Sequence, residues 1–503
     1  MRRLATAVLP AVLLVAACSG GDDEADSTTS STEATTSTTE GSDGATTTTA
    51  ASTEGGESVN GFVPAPLEWD DCGQGTQCAG LDVPLDWDDP TGDTITLALR
   101  MAPATGDPAD KIGILTFNLG GPGATTNDAV PGGLFDSDIT ERYDVVGWDV
   151  RGVGGTEPLH CGDNVDAFLR LDSQPDDAAE QTALDDAAEA VGAECEQDDE
   201  PLLSHMGTDD VARDLEAIRI ASGEPMSYYG FSYGTLVGLR YLDLFPTSAL
   251  HVGIDGVVDP EDTLTDLLRG QTVGFESAMA SVFAGCPDGQ SGCPAGGAEA
   301  AYDQLAAQVE QQPLPAGDDV VGPSDLATAA VFVTYDETLW DSLYSALTAG
   351  LAGDGTELLA LANGYRGFGG FTTYQAVECT DSENPRGGEA WAAFSDELEA
   401  ISPRFGGSIA NEMLPCAFWP VEPRPVIGPV VAEGSPPVLV IGTTGDAATP
   451  IEQAQHVAEN LADGHLLTYD GEGHTAYFSS SCVRDAVAAY LIDGELPDDG
   501  ATC

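Results

Sequence analysis

From Gly61 onward, short continuous apolar runs alternate with longer stretches in which apolar residues return every third or fourth position. The runs Ile112 to Asn118, Tyr143 to Asp149, Ser227 to Phe231, His251 to Val257, Pro437 to Ile441 and Leu466 to Tyr469 predict buried strands. Thr208 to Ser222 carries Val211, Leu215 and Ile218 on one helical face, with Thr208 as its expected cap. A second helix is expected from the turn after Phe231 through Leu244. Strands that are apolar throughout, alternating with helices, predict a mostly parallel central sheet with helices on both faces. Between Asp259 and about Val431 the alternation gives way to an Ala-rich helical pattern broken by Gly and Pro. That stretch is expected to be a largely helical cap. The predicted order is core over 61–260, cap over 261–432 and core again over 433–503.

The first sixty residues follow other rules. Arg2 and Arg3 precede an apolar run from Leu4 to Ala17, too short for a stable membrane span, and the run ends in Val15-Ala16-Ala17-Cys18. The order matches a bacterial lipoprotein signal over residues 1–17, cleaved before Cys18, whose thiol would be diacylated. Residues 18–60 are dominated by Ser, Thr, Gly, Ala and acids, and they bury too little apolar area to offset the entropy of ordering. They are expected to form a disordered tether. The expected location is the extracellular face of the cell membrane, with membrane contact only through the lipid.

Charge removes some partners. Asp and Glu number 85 against 16 Lys and Arg, a net charge of −69. Phosphate contacts need cationic side chains, so nucleic acid is excluded as a partner. Of the 11 cysteines, Cys18 is assigned to the lipid. The others fall in order as Cys72 and Cys78, Cys161 and Cys195, Cys286 and Cys293, Cys379 and Cys416, Cys482 and Cys503. An even set in an exported chain implies disulfides, and five sequential bridges are one connectivity among many. Histidines do not cluster with these cysteines as a zinc site requires.

The chemistry centres on Gly230-Phe231-Ser232-Tyr233-Gly234, set between a predicted strand and a predicted helix. This is the context of a nucleophile elbow, in which a tight turn lifts the serine hydroxyl to a helix N-terminus. Asn118-Leu119-Gly120-Gly121-Pro122-Gly123 follows another predicted strand, where acyl transfer needs backbone N–H groups for an oxyanion. Gly121 and Tyr233 are the expected donors. A phosphate-binding loop would need a Lys after the glycines, which is absent. A serine nucleophile needs a base and an orienting acid, which in this architecture follow in the order acid, then His. Asp446 lies just after the strand Val438 to Ile441. His474 lies in a Gly-rich loop after the next strand. Asp463 and Glu452 are poorer acids, lying in or after the following helix. His160, His205, His251, His456 and His465 are expected at surfaces or element ends.

These residues together resemble the tripeptidyl aminopeptidase-like branch of the α/β-hydrolases, related to prolyl aminopeptidases. The resemblance runs from about Leu67 to Cys503. It includes Leu67-Glu68-Trp69, Val83-Pro84-Leu85-Asp86, the Gly-Gly-Pro-Gly turn and Trp148-Asp149-Val150-Arg151-Gly152-Val153-Gly154. It continues through Thr208 to Leu215, the elbow, Asp255-Gly256-Val257-Val258-Asp259-Pro260, Asp446-x-x-Thr449-Pro450 and Gly473-His474. It implies an α/β-hydrolase fold and a serine exopeptidase that cleaves short peptides from free N-termini. Leu119 stands where family members often carry Pro or His, and Thr475 follows His474 where Gly is common. Both lie beside the substrate and bear on preference rather than chemistry.

A free N-terminus calls for carboxylates near the nucleophile. The cap segment Glu378-Cys379-Thr380-Asp381 resembles a cap motif of the family and makes Glu378 and Asp381 the expected amine anchors. Asp149 and Arg151 are expected to order the loop behind the oxyanion turn. The mechanism implied is an acyl-enzyme formed by Ser232, His474 and Asp446, with a peptide substrate and neither metal nor cofactor. The alternative is an envelope carboxylesterase with the same triad. A silent binding lipoprotein is disfavoured, since all three catalytic residues are intact.

Overall fold

The computed structural model describes residues 57–503 apart from 163, 368, 369, 427 and 499. The export signal, Cys18 and the tether through residue 56 lie outside the described residues. The folded part begins slightly earlier than the sequence pattern predicts. Val59 is buried, and the Asn60 side-chain amide donates to the Trp87 carbonyl at 3.0 Å.

Ten of the twelve strands form one sheet. In chain order these strands are β1 (Asp70–Gly73), β2 (Thr76–Pro84), β3 (Thr94–Ala102), β4 (Gly113–Asn118), β5 (Tyr143–Trp148), β6 (Met226–Phe231) and β7 (Val252–Asp255). A small hairpin follows, β8 (Leu314–Ala316) and β9 (Asp319–Val321), and then β10 (Val438–Gly445), β11 (Gly464–Glu472) and β12 (Ala501–Thr502). The sheet order is β1-β2-β3-β5-β4-β6-β7-β10-β11-β12. From β5 through β12 the pairings are parallel, while β1, β2 and β3 pair antiparallel. The mostly parallel sheet is as expected. The antiparallel edge of β1 to β3 was not: its alternating buried and exposed residues make a weaker signal than the apolar central strands.

Successive side chains of the central strands feed two cores. Ile114, Tyr228 and Val440 join one, and Leu115, Tyr229 and Ile441 join the other. Helices cover both faces, as continuous apolar strands require.

Between β7 and β10 the chain runs through helices from Leu264–Ala284 to Gly406–Glu412 and the β8-β9 hairpin, inside the predicted cap. The helix Ala178–Leu203, inside the span read as core, also packs on it: a Cβ at Gly192 would meet the Phe418 carbonyl at 3.1 Å. Five disulfides join the cysteines in sequential pairs, including Cys379 to Cys416 within the cap and Cys482 to Cys503 at the C-terminus. Among the described residues no helix is long and apolar enough to cross a membrane.

Candidate active site

Five strand ends meet at the site: β4, β6 and β7 contribute backbone, and β10 and β11 contribute the loops of Asp446 and His474. Ser232 follows β6 directly and precedes the helix Tyr233–Leu244, with φ 55° and ψ −126°. A non-glycine residue held there stores roughly 1–3 kcal/mol of strain. The two elbow glycines make the turn possible. A Cβ at Gly230 would lie 2.2 Å from the Gly234 carbonyl oxygen, and one at Gly234 would lie 2.5 Å from that of Asn118. The Ser232 N–H donates to the Asp255 carbonyl at 2.9 Å, which ties the nucleophile to the end of β7.

The Gly-rich turn lies against the elbow. A Cβ at Gly120 would come within 2.8 Å of Ser232 Cβ and 3.0 Å of the Tyr233 nitrogen. The Gly120 N–H is taken by Asn118 Oδ1 at 2.8 Å. Among the described residues no acceptor takes the N–H of Gly121. Tyr233 is the first residue of its helix, so its N–H has no intrahelical acceptor. Both expected oxyanion donors therefore remain available.

His474 and Asp446 are brought together. Nδ1 of His474 lies 2.9 and 2.8 Å from the two Asp446 oxygens. Asp446 also accepts from the N–H of Ala448 at 3.0 Å, the N–H of Thr449 at 2.9 Å and the Thr449 hydroxyl at 2.9 Å. Burial works against a charge on His474, but the adjacent Asp446 carboxylate outweighs it and raises the imidazole above its ordinary value, with a smaller contribution from Asp255. Asp255 accepts from the N–H groups of Ala476 and Tyr477 at 2.9 and 2.8 Å, so it fixes the loop that carries His474. A Cβ at Gly256 would lie 3.1 Å from His474 Cε1. Asp255 thus holds Ser232 through its carbonyl and the His474 loop through its carboxylate.

Asp149 and Arg151 behave as expected. Asp149 accepts from the N–H groups of Asn127 and Gly155 behind the Gly-rich turn. The buried Arg151 makes two hydrogen bonds to Asp214, at 2.9 and 2.7 Å. Asp463 and Glu452 take no part at His474. His456 is ion-paired to Asp259 and to Glu261, the one group among the described residues whose ligand atoms all lie within 4.8 Å of one another as a metal site needs.

On the cap wall Asp381, expected to bind a substrate amine, has its carboxylate engaged by Thr208. It accepts the Thr208 N–H at 3.0 and 3.1 Å and the Thr208 hydroxyl at 2.5 Å. Thr208 correspondingly does not cap its own helix. Gly207 occupies the N-cap position, and Asp381 satisfies the first free N–H of the helix Thr208–Ser222 from far along the chain.

Glu378 is different. It is half-buried, and no hydrogen-bond donor among the described residues reaches it. Burial pushes its carboxyl up to about 8, and the Asp381 charge adds to this. A second acid, Glu412, was not anticipated. Burial pushes it up to about 7, and its oxygens meet the Tyr365 hydroxyl at 3.4 and 3.5 Å. Both acids bear on Tyr374, whose ionisation is opposed by burial and then by Glu412 and Glu378. Glu378 also bears on Tyr233, beside the nucleophile. Glu412 bears on Tyr335, whose ring packs edge-on to His474 at 5.3 Å. No sequence signal set Glu412 apart from the other acids. Thr449 and Asp255 stood inside quoted motifs, and their spacing could have given them roles.

Comparison with known proteins agrees with this geometry. A family model described as alpha/beta hydrolase fold matches residues 117–292, and one described as TAP-like protein matches residues 402–503. Serine protease Hip1 of Mycobacterium tuberculosis is 34% identical over 478 residues, covering 87% of this chain and 91% of its own length. Carboxylesterase B of the same species is 32% identical over 485 residues, covering 89% and 92%. Tripeptidyl aminopeptidase of Streptomyces lividans is 29% identical over 479 residues, covering 87% of each chain.

Proposed function

We propose that this chain, which belongs to the TAP-like family of α/β-hydrolases and is a serine hydrolase, is an exopeptidase that takes short peptides from free N-termini. The observation that carries the reading is a pair of half-buried acids, Glu378 and Glu412, whose charges both oppose ionisation of Tyr374; Glu378 also acts on Tyr233, which follows Ser232, and Glu412 on Tyr335, whose ring packs against His474. Half-buried carboxylates whose burial is not offset are costly unless the ligand brings the charge; Glu378 has no cation acting on it, and at Glu412 Arg366 offsets only part of the burial. A peptide α-ammonium supplies it. Relatives named for peptidase activity favour the same reading.

In this mechanism His474 Nε2 takes the proton of Ser232 as its oxygen attacks the scissile carbonyl. Nδ1–H stays on Asp446, which favours the imidazolium as it forms. The N–H groups of Gly121 and Tyr233 receive the oxyanion. The tetrahedral intermediate collapses, His474 protonates the departing amine, and a peptidyl ester on Ser232 remains. Water, deprotonated by His474, then releases the N-terminal peptide.

The deciding experiment compares kcat/KM for a chromogenic tripeptide amide, its N-acetylated form and a short-chain nitrophenyl ester. Acetylation is expected to cost about 10- to 100-fold, the size of a charge-assisted hydrogen bond to a buried carboxylate. Equal rates with and without acetyl would reject the amine reading and leave a carboxylesterase, the activity in the name of one relative. The signal sequence and lipobox support a lipid anchor at Cys18, facing outward. Palmitate labelling lost in Cys18→Ala would check it.

A further inference from the structure

We infer that Asp381 is a positioning residue that holds the oxyanion side of the nucleophile elbow from the cap, by way of Thr208 and the phenol of Tyr233. The inference rests on serine-hydrolase chemistry and is independent of the amine reading. All three residues are buried: Asp381 is 6% exposed, Thr208 0% and Tyr233 3%.

Hydrogen-bond bookkeeping fixes the direction of the chain. Burial pushes the Asp381 carboxyl up to about 7, while the Thr208 N–H on both of its oxygens favours the ionised form; ionised, it only accepts, and the Thr208 hydroxyl has a single proton. That proton goes to Asp381 at 2.5 Å. The Tyr233 hydroxyl, 2.8 Å from Thr208 Oγ1, must therefore donate to it. The result is a directed relay from Tyr233 through Thr208 to Asp381, reinforced by the Thr208 N–H on the same carboxylate. Tyr233 is the residue whose N–H faces the developing oxyanion. Pinning its phenol fixes the side chain along its whole length and limits backbone rotation at the elbow.

Asp381 is itself held. It ends the cap helix Phe371–Asp381, and its carbonyl accepts from the Val426 N–H at 3.2 Å. The preceding Thr380 carbonyl accepts from the Arg424 N–H at 2.6 Å, and the Arg424 guanidinium reaches Asp210 at 3.0 Å. The relay thus joins the cap to the elbow through fixed points at both ends. Glu378 lies on the same helix one turn earlier, so one helix carries both the expected amine anchor and the acid that braces the oxyanion donor.

The test uses Asp381→Asn, Thr208→Val, Thr208→Ser and Tyr233→Phe. Each is assayed on the free-amine peptide, the acetylated peptide and the nitrophenyl ester, with the rate of fluorophosphonate labelling and a thermal melt. Displacement of an oxyanion donor lowers kcat on every substrate by about 10- to 100-fold. Asp381→Asn and Thr208→Val are expected to show that loss with KM little changed and with labelling slowed in parallel. Tyr233→Phe keeps its N–H and should lose about 3- to 10-fold. Thr208→Ser should retain near-normal kcat. If Asp381→Asn raises KM for the free-amine peptide alone and leaves ester turnover and labelling intact, the inference is overturned. It is equally overturned if Tyr233→Phe and Thr208→Val keep normal kcat and labelling, even when Asp381→Asn fails to fold. The amine reading fails on different data, the wild-type rates with and without acetyl.

Discussion

The core rim and the cap wall both present buried or half-buried acids to the same site, and they treat them in opposite ways. On the core side, Asp446 meets His474, two backbone N–H groups and the Thr449 hydroxyl, and Asp255 meets two further backbone N–H groups. On the cap side, Glu378 has no donor among the described residues and Glu412 has only the phenol of Tyr365. An acid surrounded by fixed donors is a geometric element, held in place before any ligand arrives, even at Asp255, where burial still pushes the carboxyl up to about 6. An acid left without donors holds unfavourable free energy that a cationic ligand relieves. On the proposed reading the core acids serve every acyl transfer, and the cap acids choose the substrate. Asp381, on the cap, stands between the two: it accepts from Thr208 as the core acids accept from their donors, yet burial pushes its carboxyl up to about 7, as at Glu412.

The comparison breaks first at Asp446. Asp446→Asn keeps the shape but presents an amide N–H₂ to Nδ1, which favours the wrong imidazole tautomer. A loss of kcat of about 10⁴-fold is expected, alike for peptides and esters, by analogy with other serine triads. Steady-state kinetics on both substrate classes check it. A loss confined to peptides would move Asp446 to the substrate-selecting group.

The cap acids should behave in the contrasting way. Glu378→Gln and Glu412→Gln are each expected to lower kcat/KM on a free-amine tripeptide by about 10- to 100-fold and to leave ester turnover within about twofold. Their raised values add a pH signature. With carboxyls at about 8 and about 7, both are largely protonated at pH 6 and ionise as pH rises. KM for free-amine peptides should therefore fall between pH 6 and pH 8, while KM for esters stays flat. The stability effect has the opposite sense. Acids whose folded values lie above their unfolded values bind extra protons in the native state, so the ligand-free enzyme loses stability as pH rises from about 4.5 to about 8. A melting temperature that climbs through that window would contradict the assignment of donor-poor acids.

How much could be read from the chain follows the same division. Ser232, Asp446 and His474 are adjacent to strands whose apolar runs announce themselves, and their order along the chain restricts the choice. The Gly-rich turn was legible for a steric reason, since Gly120 lies where any side chain would strike Ser232. Thr449 was visible as part of Asp446-x-x-Thr449, though its contact with the acid needed coordinates. The cap was legible only as a helical region. Its contributions come from the ends of separate helices, and 85 acids leave nothing in the sequence to distinguish Glu412. Asp381 was read as an anchor from the resemblance of its cap segment; its partner Thr208 lies 173 residues away, where local sequence reasoning sees only a helix cap.

The smallest expected effect separates the two regions through their disulfides. Cys379 adjoins Glu378, and Cys416 lies four residues after Glu412, so the Cys379–Cys416 bridge ties together the two segments that carry the cap acids. Cys72–Cys78 closes a hairpin between β1 and β2, at the sheet edge away from those acids. Each bridge contributes through the unfolded chain, and each double Cys→Ala variant is expected to lose about 2–4 kcal/mol or less. Their kinetics should differ. Without Cys379–Cys416 the spacing of Glu378 and Glu412 is no longer braced, and KM for free-amine peptides is expected to rise about two- to fivefold, while ester kcat holds. Removing Cys72–Cys78 should leave both parameters unchanged. Equal kinetic changes in the two variants would mean that the effect passes through overall stability and that the cap acids are set by packing, not by the bridge.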